Sequence, residues 1–415
     1  MMRAAEVVLL LRILAQSVKR DEVASLPLGE CVQFAVDHHV AGPFLDALQH
    51  YDLLGRLSTE DKQRLISDAA KTALWNQGYL DEMGRVMKAF ASGGINLLIV
   101  RGPVMASRAY GDPLKRRFTD LDLLVRPAEI DRAVSVMRDL DYETTHRTDS
   151  DIRRRGGKGV IELIRRSDVR SFDVDLHTSL LNRRRLQAVF DLDAINVWEA
   201  ATEEALPGIG PVPALSIEDE MIFAVEHLVL QHQMEDIRLL VDCVMLFRRQ
   251  GDAFDWSRLL ARARIAGCEK LVSCVLSLIG EIIPLPADAQ LSKAVARGTR
   301  LRLQYPIRRF LCIENAMPEL RRERSVAWRW VAERQSVFCL VDRLRTAIRL
   351  ALTESVPSAW RIRRLRSRKM TALKRIVWAI PMAAVLPWYI PVLMGHAALV
   401  RFLEPILPRR YRVLW

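Results

Sequence analysis

Two aspartates separated by a single residue are the feature of the sequence with the clearest chemical meaning. Asp120 and Asp122 lie in the segment TDLDLLV, residues 119–125, where Leu121 and Leu123 alternate with them. Alternate side chains of a strand share a face, so we expect both carboxylates on one face, with Cα atoms roughly 6.5–7 Å apart. Such a pair can hold a divalent cation, Mg²⁺ or Mn²⁺, and a third carboxylate would complete a two-cation site for phosphoryl transfer.

A second acidic segment supplies candidates for the third carboxylate. Asp173, Asp175 and His177 alternate along FDVDLH, residues 172–177, so they also share one strand face. On this pattern either aspartate can complete the site. A lone D-x-D pattern is more often a solvated face or a turn. The apolar residues that alternate with the aspartates, and the second acidic strand, favour a metal site here.

The segments around these aspartates predict a small sheet covered by helices. The continuous apolar run INLLIV, residues 95–100, is typical of a buried strand. Pro103 suits the first turn of a short helix that Gly111 ends. A further helix is predicted over residues 128–140, and further strands over residues 160–164 and 172–177. This order of elements predicts an α+β fold with a small mixed β-sheet.

Helical periodicity dominates the chain on both sides of this core. Apolar residues recur at three- and four-residue intervals before residue 90, and Ser216 begins a capping-box pattern ahead of further helices. Pro357 marks a break before a basic tail. The predicted organisation has four parts: an N-terminal helical region (residues 1–90), a core (91–200), a helical domain (201–350) and a basic and apolar C-terminal tail (351–415).

Three polar residues of the helical half attract attention. On an α-helix His227 and His232, five residues apart, would lie about 140° apart around the axis, so they would not share a metal. We therefore expect a structural hydrogen-bonding role for both histidines. Asp242 lies among leucines, and we expect it to cap a helix or to pair with a buried cation.

The positive charge is concentrated at one end of the chain. The formal net charge is +12, and residues 353–415 contain 12 Lys and Arg against 2 Asp and Glu. The rest of the chain is nearly neutral, which argues against nucleic acid as a partner of the whole protein. The six cysteines form no C-x-x-C pair, which favours buried thiols in a reducing compartment, the cytoplasm.

The tail also contains a long uncharged segment. Residues 376–400 include no Lys, Arg, Asp or Glu and follow a dense cluster of arginines and lysines. That length suffices to span a bilayer core, but Pro381, Pro387 and Pro391 would kink such a helix repeatedly. The favoured interpretation is peripheral association with the inner face of the membrane. A true span and packing onto the helical half are the alternatives.

The sequence from Ile95 to Tyr142 resembles the core of an uncharacterised bacterial nucleotidyltransferase-like family, within the DNA polymerase β-type nucleotidyltransferase superfamily. That family has an apolar strand, Lys-Gly, a short helix with Tyr, an Arg, and then Asp-x-Asp-Leu-x-Val. A later strand ends in acidic-x-His. The residues that match this pattern are Gly102, Tyr110, Arg116, Asp120, Asp122, Asp175 and His177. The similarity extends over about residues 72–286.

The resemblance implies an activity and a set of site residues. The activity would be transfer of a nucleoside monophosphate from a nucleoside triphosphate to an acceptor hydroxyl that the sequence does not identify. The match of Asp175 and His177 to acidic-x-His prefers Asp175 over Asp173 as the third carboxylate. Asp120, Asp122 and Asp175 would then be the metal ligands and catalytic residues. Arg101, Gly102 and Arg116 would bind the nucleotide.

Two departures from the family pattern support an alternative. Arg101 stands where the family usually has Lys, and a planar guanidinium contacts phosphate differently from an ammonium. Pro103 removes a backbone donor from the turn that would face the triphosphate. The alternative is a catalytically inactive binding or assembly module of this fold, associated with the membrane through its tail, in a biosynthetic pathway.

Overall fold

A computed structural model describes residues 4–23, 26–145, 159–168, 170–181, 184–187, 190–303, 311–312 and 340–342. Helices precede and follow a single sheet in this part of the chain. The helices before the sheet are α1 (Ala4–Leu14), α2 (Arg20–Val23), α3 (Leu28–Asp37), α4 (Ala41–His50) and α5 (Thr59–Ser92). Those between its strands are α6 (Pro103–Tyr110), α7 (Ile130–Asp139) and α8 (Arg184–Gln187). Those after it are α9 (Ile217–Glu226), α10 (Ile237–Gln250), α11 (Trp256–Ile265), α12 (Glu269–Ile282) and α13 (Ala289–Arg302).

The sheet is mixed and has seven strands. They are β1 (Leu97–Ile99), β2 (Asp120–Val125), β3 (Glu143–Thr144), β4 (Val160–Arg166), β5 (Ser171–His177), β6 (Thr202–Leu206) and β7 (Gly210–Ala214). Their order across the sheet is β3-β4-β5-β2-β1-β7-β6. The pairs β2·β5 and β1·β7 are parallel, and the other neighbours are antiparallel. Strands β2 and β5 are therefore direct neighbours although a helix and two strands separate them in sequence.

Side-chain alternation gives the sheet two buried faces. Leu121, Leu123 and Val125 of β2 belong to one apolar cluster, which also contains residues of α5 and α7. Leu124 belongs to a second cluster, made largely by the N-terminal helices and the helices after residue 215. Asp120 and Asp122 share the parity of Leu124, so the carboxylates lie on the face that the helical half covers.

The predicted α+β fold with a mixed sheet and flanking helices is confirmed. The strands predicted over residues 95–100, 119–125 and 172–177 are present with small shifts at their ends. The sheet also contains β3, β6 and β7, and the last two lie beyond residue 200, where the sequence pattern placed the end of the core. Strand β7 contains two prolines in GPVPA and β6 carries acidic residues, so neither shows the apolar pattern of a typical strand.

The helical segment that follows the Ser216 capping box is not a regular α-helix throughout. It begins with the predicted cap, since the Ser216 hydroxyl accepts a hydrogen bond from the backbone N–H of Asp219 at 3.3 Å. After Glu226 the chain forms a π-helix over His227–Gln231, in which the His232 N–H donates to the His227 carbonyl at 3.0 Å. One residue more per turn brings residues five apart onto the same side.

The predictions for the C-terminal tail fall on residues 351–415, which lie outside the described part of the chain. Among the described residues, no helix combines the length and the apolar character needed to cross a bilayer.

Candidate active site

Two adjacent parallel strands place the acidic residues side by side. Asp120 of β2 is in register with Asp173 of β5, and Asp122 is in register with Asp175. Parallel neighbours in register point their side chains to the same side of the sheet. The two D-x-D patterns therefore form a square of four carboxylates on one face, and Asp122 is its most buried corner, with 6 % of its surface exposed.

A tight group forms around Asp122. One ligand atom each of Asp122, Asp175 and His177 lie within 4.8 Å of one another. The Nε2 atom of His177 donates to Oδ1 of Asp122 at 2.8 Å, and His177 is itself buried. Asp120 is not a member of this group, although it lies on the same face of β2. The structure thus gathers two of the three predicted carboxylates and adds an imidazole.

The carboxylates repel one another strongly enough to change their protonation. Burial and the charge of Asp122 raise the pKa of Asp175 to about 7. The same two causes raise the pKa of Asp120 to about 6. Burial alone would also raise the pKa of Asp122, but the hydrogen bond from His177 and the charge of Arg101 outweigh it, so that pKa is lowered. Asp122 is the carboxylate that stays ionised, and Asp120 and Asp175 are poised to lose protons to a cation.

This donor set suits a hard divalent cation. Asp122 and Asp175 offer carboxylate oxygens, which Mg²⁺ prefers, and His177 offers a nitrogen that Mn²⁺ also accepts. A divalent cation would relieve the repulsion that raises the pKa values of Asp120 and Asp175.

The loop after β1 brings Arg101 to the carboxylates. Its Nη1 atom lies 3.7 Å from Oδ2 of Asp122, and the side chain is 13 % exposed. The next residue, Gly102, has φ +60° and ψ −115°, a left-handed conformation that strains other residues. A Cβ atom there would lie 3.6 Å from the carbonyl oxygen of Asp120, an ordinary van der Waals distance, so the positive φ and not crowding favours glycine. The glycine therefore lets the chain turn from β1 into α6 directly beside β2.

His227 is the second partner of Arg101. The Nη1 atom of Arg101 donates to Nε2 of His227, 2.7 Å away, which requires that ring nitrogen to be unprotonated. Burial and the charge of Arg101 hold the pKa of His227 well below its ordinary value, in agreement with a neutral ring. This contact could not be predicted from the sequence, because 126 residues separate the partners.

The π-helix also corrects the expectation for the two histidines. On a regular α-helix their side chains would diverge by about 140°. Here the ring centroids of His227 and His232 are 4.4 Å apart and the rings are tilted by 43°, because the wider turn puts both on one side. The expectation that they point apart is therefore wrong. The expected hydrogen-bonding role holds for His227, whose partner is Arg101.

Arg116 lies in a different environment from the one that a phosphate contact needs. Its Nε and Nη2 atoms donate to the two oxygens of Asp242 at 2.8 and 2.7 Å, and its side chain is 5 % exposed. The Tyr110 hydroxyl donates to Oδ1 of the same carboxylate at 2.8 Å. The expectation that Asp242 pairs with a buried cation is confirmed. Arg116 lies just before β2, and its guanidinium connects this segment to α10. Its positive charge partly offsets the rise in the pKa of Asp120.

Each aspartate of the site was predicted from the sequence, whereas the contacts that His177 and His227 make were not. His177 was noticed as part of acidic-x-His, and that two-residue spacing was the signal that it shares the face of Asp175. His227 carried no local signal, because a π-helix has no recognised sequence pattern.

Comparison with known proteins identifies the family of this chain. A model of the family described as "Uncharacterised nucleotidyltransferase" matches residues 26–284, more than half of the chain. The chain belongs to this family, which confirms the resemblance seen in the sequence. No curated protein matches the sequence.

Proposed function

We propose that this member of the uncharacterised nucleotidyltransferase family transfers a nucleoside monophosphate from a nucleoside triphosphate to an acceptor hydroxyl, with Mg²⁺ or Mn²⁺. The single observation that carries the proposal is the in-register pairing of Asp120–Leu121–Asp122 with Asp173–Val174–Asp175 on neighbouring parallel strands. It places four carboxylates on one face, next to the partly buried Arg101. A cluster of acidic groups with raised pKa values beside a cation is typical of a functional site.

The site residues receive the following roles in this proposal. Asp120, Asp122 and Asp175 hold the cation, and His177 orients Asp122 through its hydrogen bond. When bound, the cation polarises the phosphate and stabilises the charge that develops on it. Arg101 contacts the phosphates, since it is the described arginine that lies against Asp122. Gly102 keeps the backbone close to β2, so that the nucleotide can approach the strand.

The reaction is a displacement at the α-phosphorus. The acceptor oxygen forms a bond to that phosphorus, the bond to the bridging oxygen of the β-phosphate breaks, and pyrophosphate leaves with the electron pair. The acceptor proton passes to Asp175, which is ionised when the cation is bound and can therefore accept it.

A second candidate function is nucleotide binding without transfer, in an assembly module. Two observations favour it. Pro103 occupies the first turn of α6, so this turn has one fewer N–H group to offer a triphosphate. Arg101 is already engaged by His227 and Asp122, so phosphate must compete for it.

We also propose that the basic and apolar tail holds the protein at the inner face of a membrane, near the acceptor. The support is the sequence of residues 353–415, with 12 Lys and Arg against 2 acidic residues beside an uncharged segment. Polybasic segments are attracted to anionic lipid headgroups.

Label transfer from each of four α-³²P nucleoside triphosphates tests the main proposal. Purified full-length protein is incubated with Mg²⁺ or Mn²⁺ and an extract of the producing cells as the acceptor source. We expect a labelled product that is lost in Asp175→Ala and only reduced in Asp173→Ala, a matched variant two residues away on the same strand. Inactivity with every nucleotide, together with retained binding of the nucleotide in calorimetry, would favour the assembly module. If the nucleotide does not bind either, both candidates fail.

A further inference from the structure

A polar cavity lies beside the candidate active site, between the end of α3 and the segment that joins the π-helix to α10. Its volume is about 430 Å³, which is within the usual range for small-molecule sites. The residues that line it are His38, Gln231, His232, Gln233, Glu235, Asp236 and Ile237. All but Ile237 are polar.

The backbone that forms this wall is held in an unusual conformation. Gln233 and Met234 are consecutive residues with φ of 57° and 58°, in the left-handed region that non-glycine residues rarely adopt. Met234 is fully buried and its N–H donates to the Leu228 carbonyl at 2.9 Å, so packing and hydrogen bonding both fix the strained segment. Asp236 then caps α10 by accepting from the Arg238 N–H at 3.0 Å. The wall is therefore preformed, and its strain is the kind that persists at ligand sites.

A short chain of contacts connects this wall to the carboxylates. His232 lines the cavity, and its ring contacts that of His227 with 4.4 Å between centroids. His227 accepts the hydrogen bond of Arg101, whose Nη1 atom is 3.7 Å from Asp122. His232 thus connects the cavity, through His227, to Arg101, where the proposed phosphates would lie.

The residues that line the cavity disfavour phosphate-rich ligands and favour ligands with hydroxyl groups. No lysine or arginine is among the lining residues, and the nearby Arg238 is paired with the carboxylate of Asp236 at 3.0 Å. Glu235 contributes a second carboxylate, so the cavity does not suit a triphosphate or a nucleic-acid backbone. Amide, carboxylate and imidazole groups offer the mixed donors and acceptors that hydroxyl groups need. Since the nucleotide is drawn to Arg101, this neighbouring cavity is left for the second substrate.

We propose that the cavity of His38, His232, Glu235 and their neighbours binds the acceptor, and that the acceptor is a hydroxyl-rich small molecule without negative charge. This inference rests on the proposed function, because the bound molecule is an acceptor only if the protein transfers a nucleoside monophosphate. The binding of such a molecule in the cavity can be tested by itself.

Saturation-transfer NMR on the full-length protein tests the cavity with three probes, glucose, sorbitol and glucosamine, and with glucose 6-phosphate as the anionic counterpart. Glu235→Trp fills the cavity from an exposed position, and Glu235→Lys alters its charge with a smaller volume change. Glu203→Trp is the matched control, because Glu203 is an exposed residue of β6 that does not line the cavity. Thermal melting verifies that each variant is folded.

We expect at least one of the three probes to bind wild type and Glu203→Trp, and Glu235→Trp to weaken that binding at least tenfold. Failure of all three probes, binding that survives Glu235→Trp, or preferred binding of glucose 6-phosphate would each overturn the inference. Calorimetry with nucleoside triphosphate and Mn²⁺ is run on the same samples. If wild type does not bind nucleotide, the proposed function is contradicted but the inference about the cavity is not, because the probes bind without nucleotide.

Discussion

Replacing Asp175 by asparagine should stabilise the cation-free protein and weaken its response to a cation. Asn keeps the shape of Asp but removes the negative charge that faces Asp122. In the wild-type protein, burial and the charge of Asp122 raise the pKa of Asp175 from 3.8 to about 7. The ionised form of Asp175 is therefore unfavourable in the folded state when no cation is bound.

The sign and size of the effect follow from this pKa. Between pH 4 and pH 7 the folded protein keeps a proton on Asp175 that the unfolded chain has released, so wild-type stability falls as the pH rises through this window. At about 1.36 kcal/mol per pH unit the loss at pH 8 is roughly 4 kcal/mol. Solvent screening at the partly exposed carboxylate reduces it to roughly 2–4 kcal/mol. Asp175→Asn lacks this loss, so its advantage over wild type should grow from near zero at pH 4 to that value at pH 8.

A divalent cation should make wild type more stable than Asp175→Asn. It favours ionised Asp175 and stabilises wild type by mass action. Two unit charges 4 Å apart attract by roughly 4 kcal/mol at an effective dielectric of 20, which corresponds to a factor of about a thousand in Kd. Asp175→Asn should therefore lose most of the stabilisation by Mn²⁺.

Urea denaturation at pH 4 to 8, in EDTA and in Mn²⁺, measures both effects. Asp173→Asn is the control, because burial raises the pKa of Asp173 but no neighbouring carboxylate contributes to that rise. Its shifts should be smaller in both buffers. Equal stability of wild type and Asp175→Asn at pH 8 in EDTA, with equal stabilisation by Mn²⁺, would refute the picture of a repulsive carboxylate group that awaits a cation.

Three further predictions concern the cation, the buried ion pair and the tail. Asp120→Asn combined with Asp122→Asn should abolish Mn²⁺-dependent nucleotide binding in calorimetry while far-UV circular dichroism is retained; unchanged binding would remove the assigned site. Asp242→Ala should destabilise the protein by roughly 3–5 kcal/mol at pH 7, since it leaves buried Arg116 without its partner. This difference should shrink below about pH 4, because the pKa of Asp242 is lowered in the folded state and its contribution disappears as it becomes protonated; a pH-independent difference would contradict the ion-pair explanation. Full-length protein should pellet with membranes at low salt, whereas a chain ending at Ser358 should stay in the supernatant; solubility of both would end the membrane proposal.

The sequence was most informative where a local pattern carries its own geometry. The alternation of Asp120, Leu121 and Asp122 predicted a strand with one acidic face, and the strand is present. Gly102 before Pro103 predicted a turn into a helix, and both residues occupy those positions. Such features depend on neighbours one to three residues away, so a single sequence is enough to recognise them.

Features that depend on distant partners could not be predicted in this way. The register of Asp122 with Asp175 requires β5 to insert beside β2, which the sequence allows but does not specify. Arg116 was expected to bind phosphate because it precedes the acidic strand. In the folded protein its guanidinium pairs with Asp242. The π-helix at His227 arises from the packing of the whole segment, so helical periodicity alone predicted the wrong side for the ring of His232.

The pairing of β1 with β7 has a consequence for how the protein is made. Ile99 has its partner at Ala214, and Arg101 meets His227 across 126 positions of the chain. Contacts of such high contact order form slowly, and during synthesis they must wait until the ribosome has released the later partner. Until then the edge of β1 that later pairs with β7 exposes unpaired backbone N–H and C=O groups. Such an edge is a known starting point for aggregation. A fragment that stops at residue 200 should therefore accumulate in inclusion bodies. Chains that continue through α10 can add β7 to the sheet, and we expect this pairing and the contact of Arg101 with His227 to form in one cooperative step.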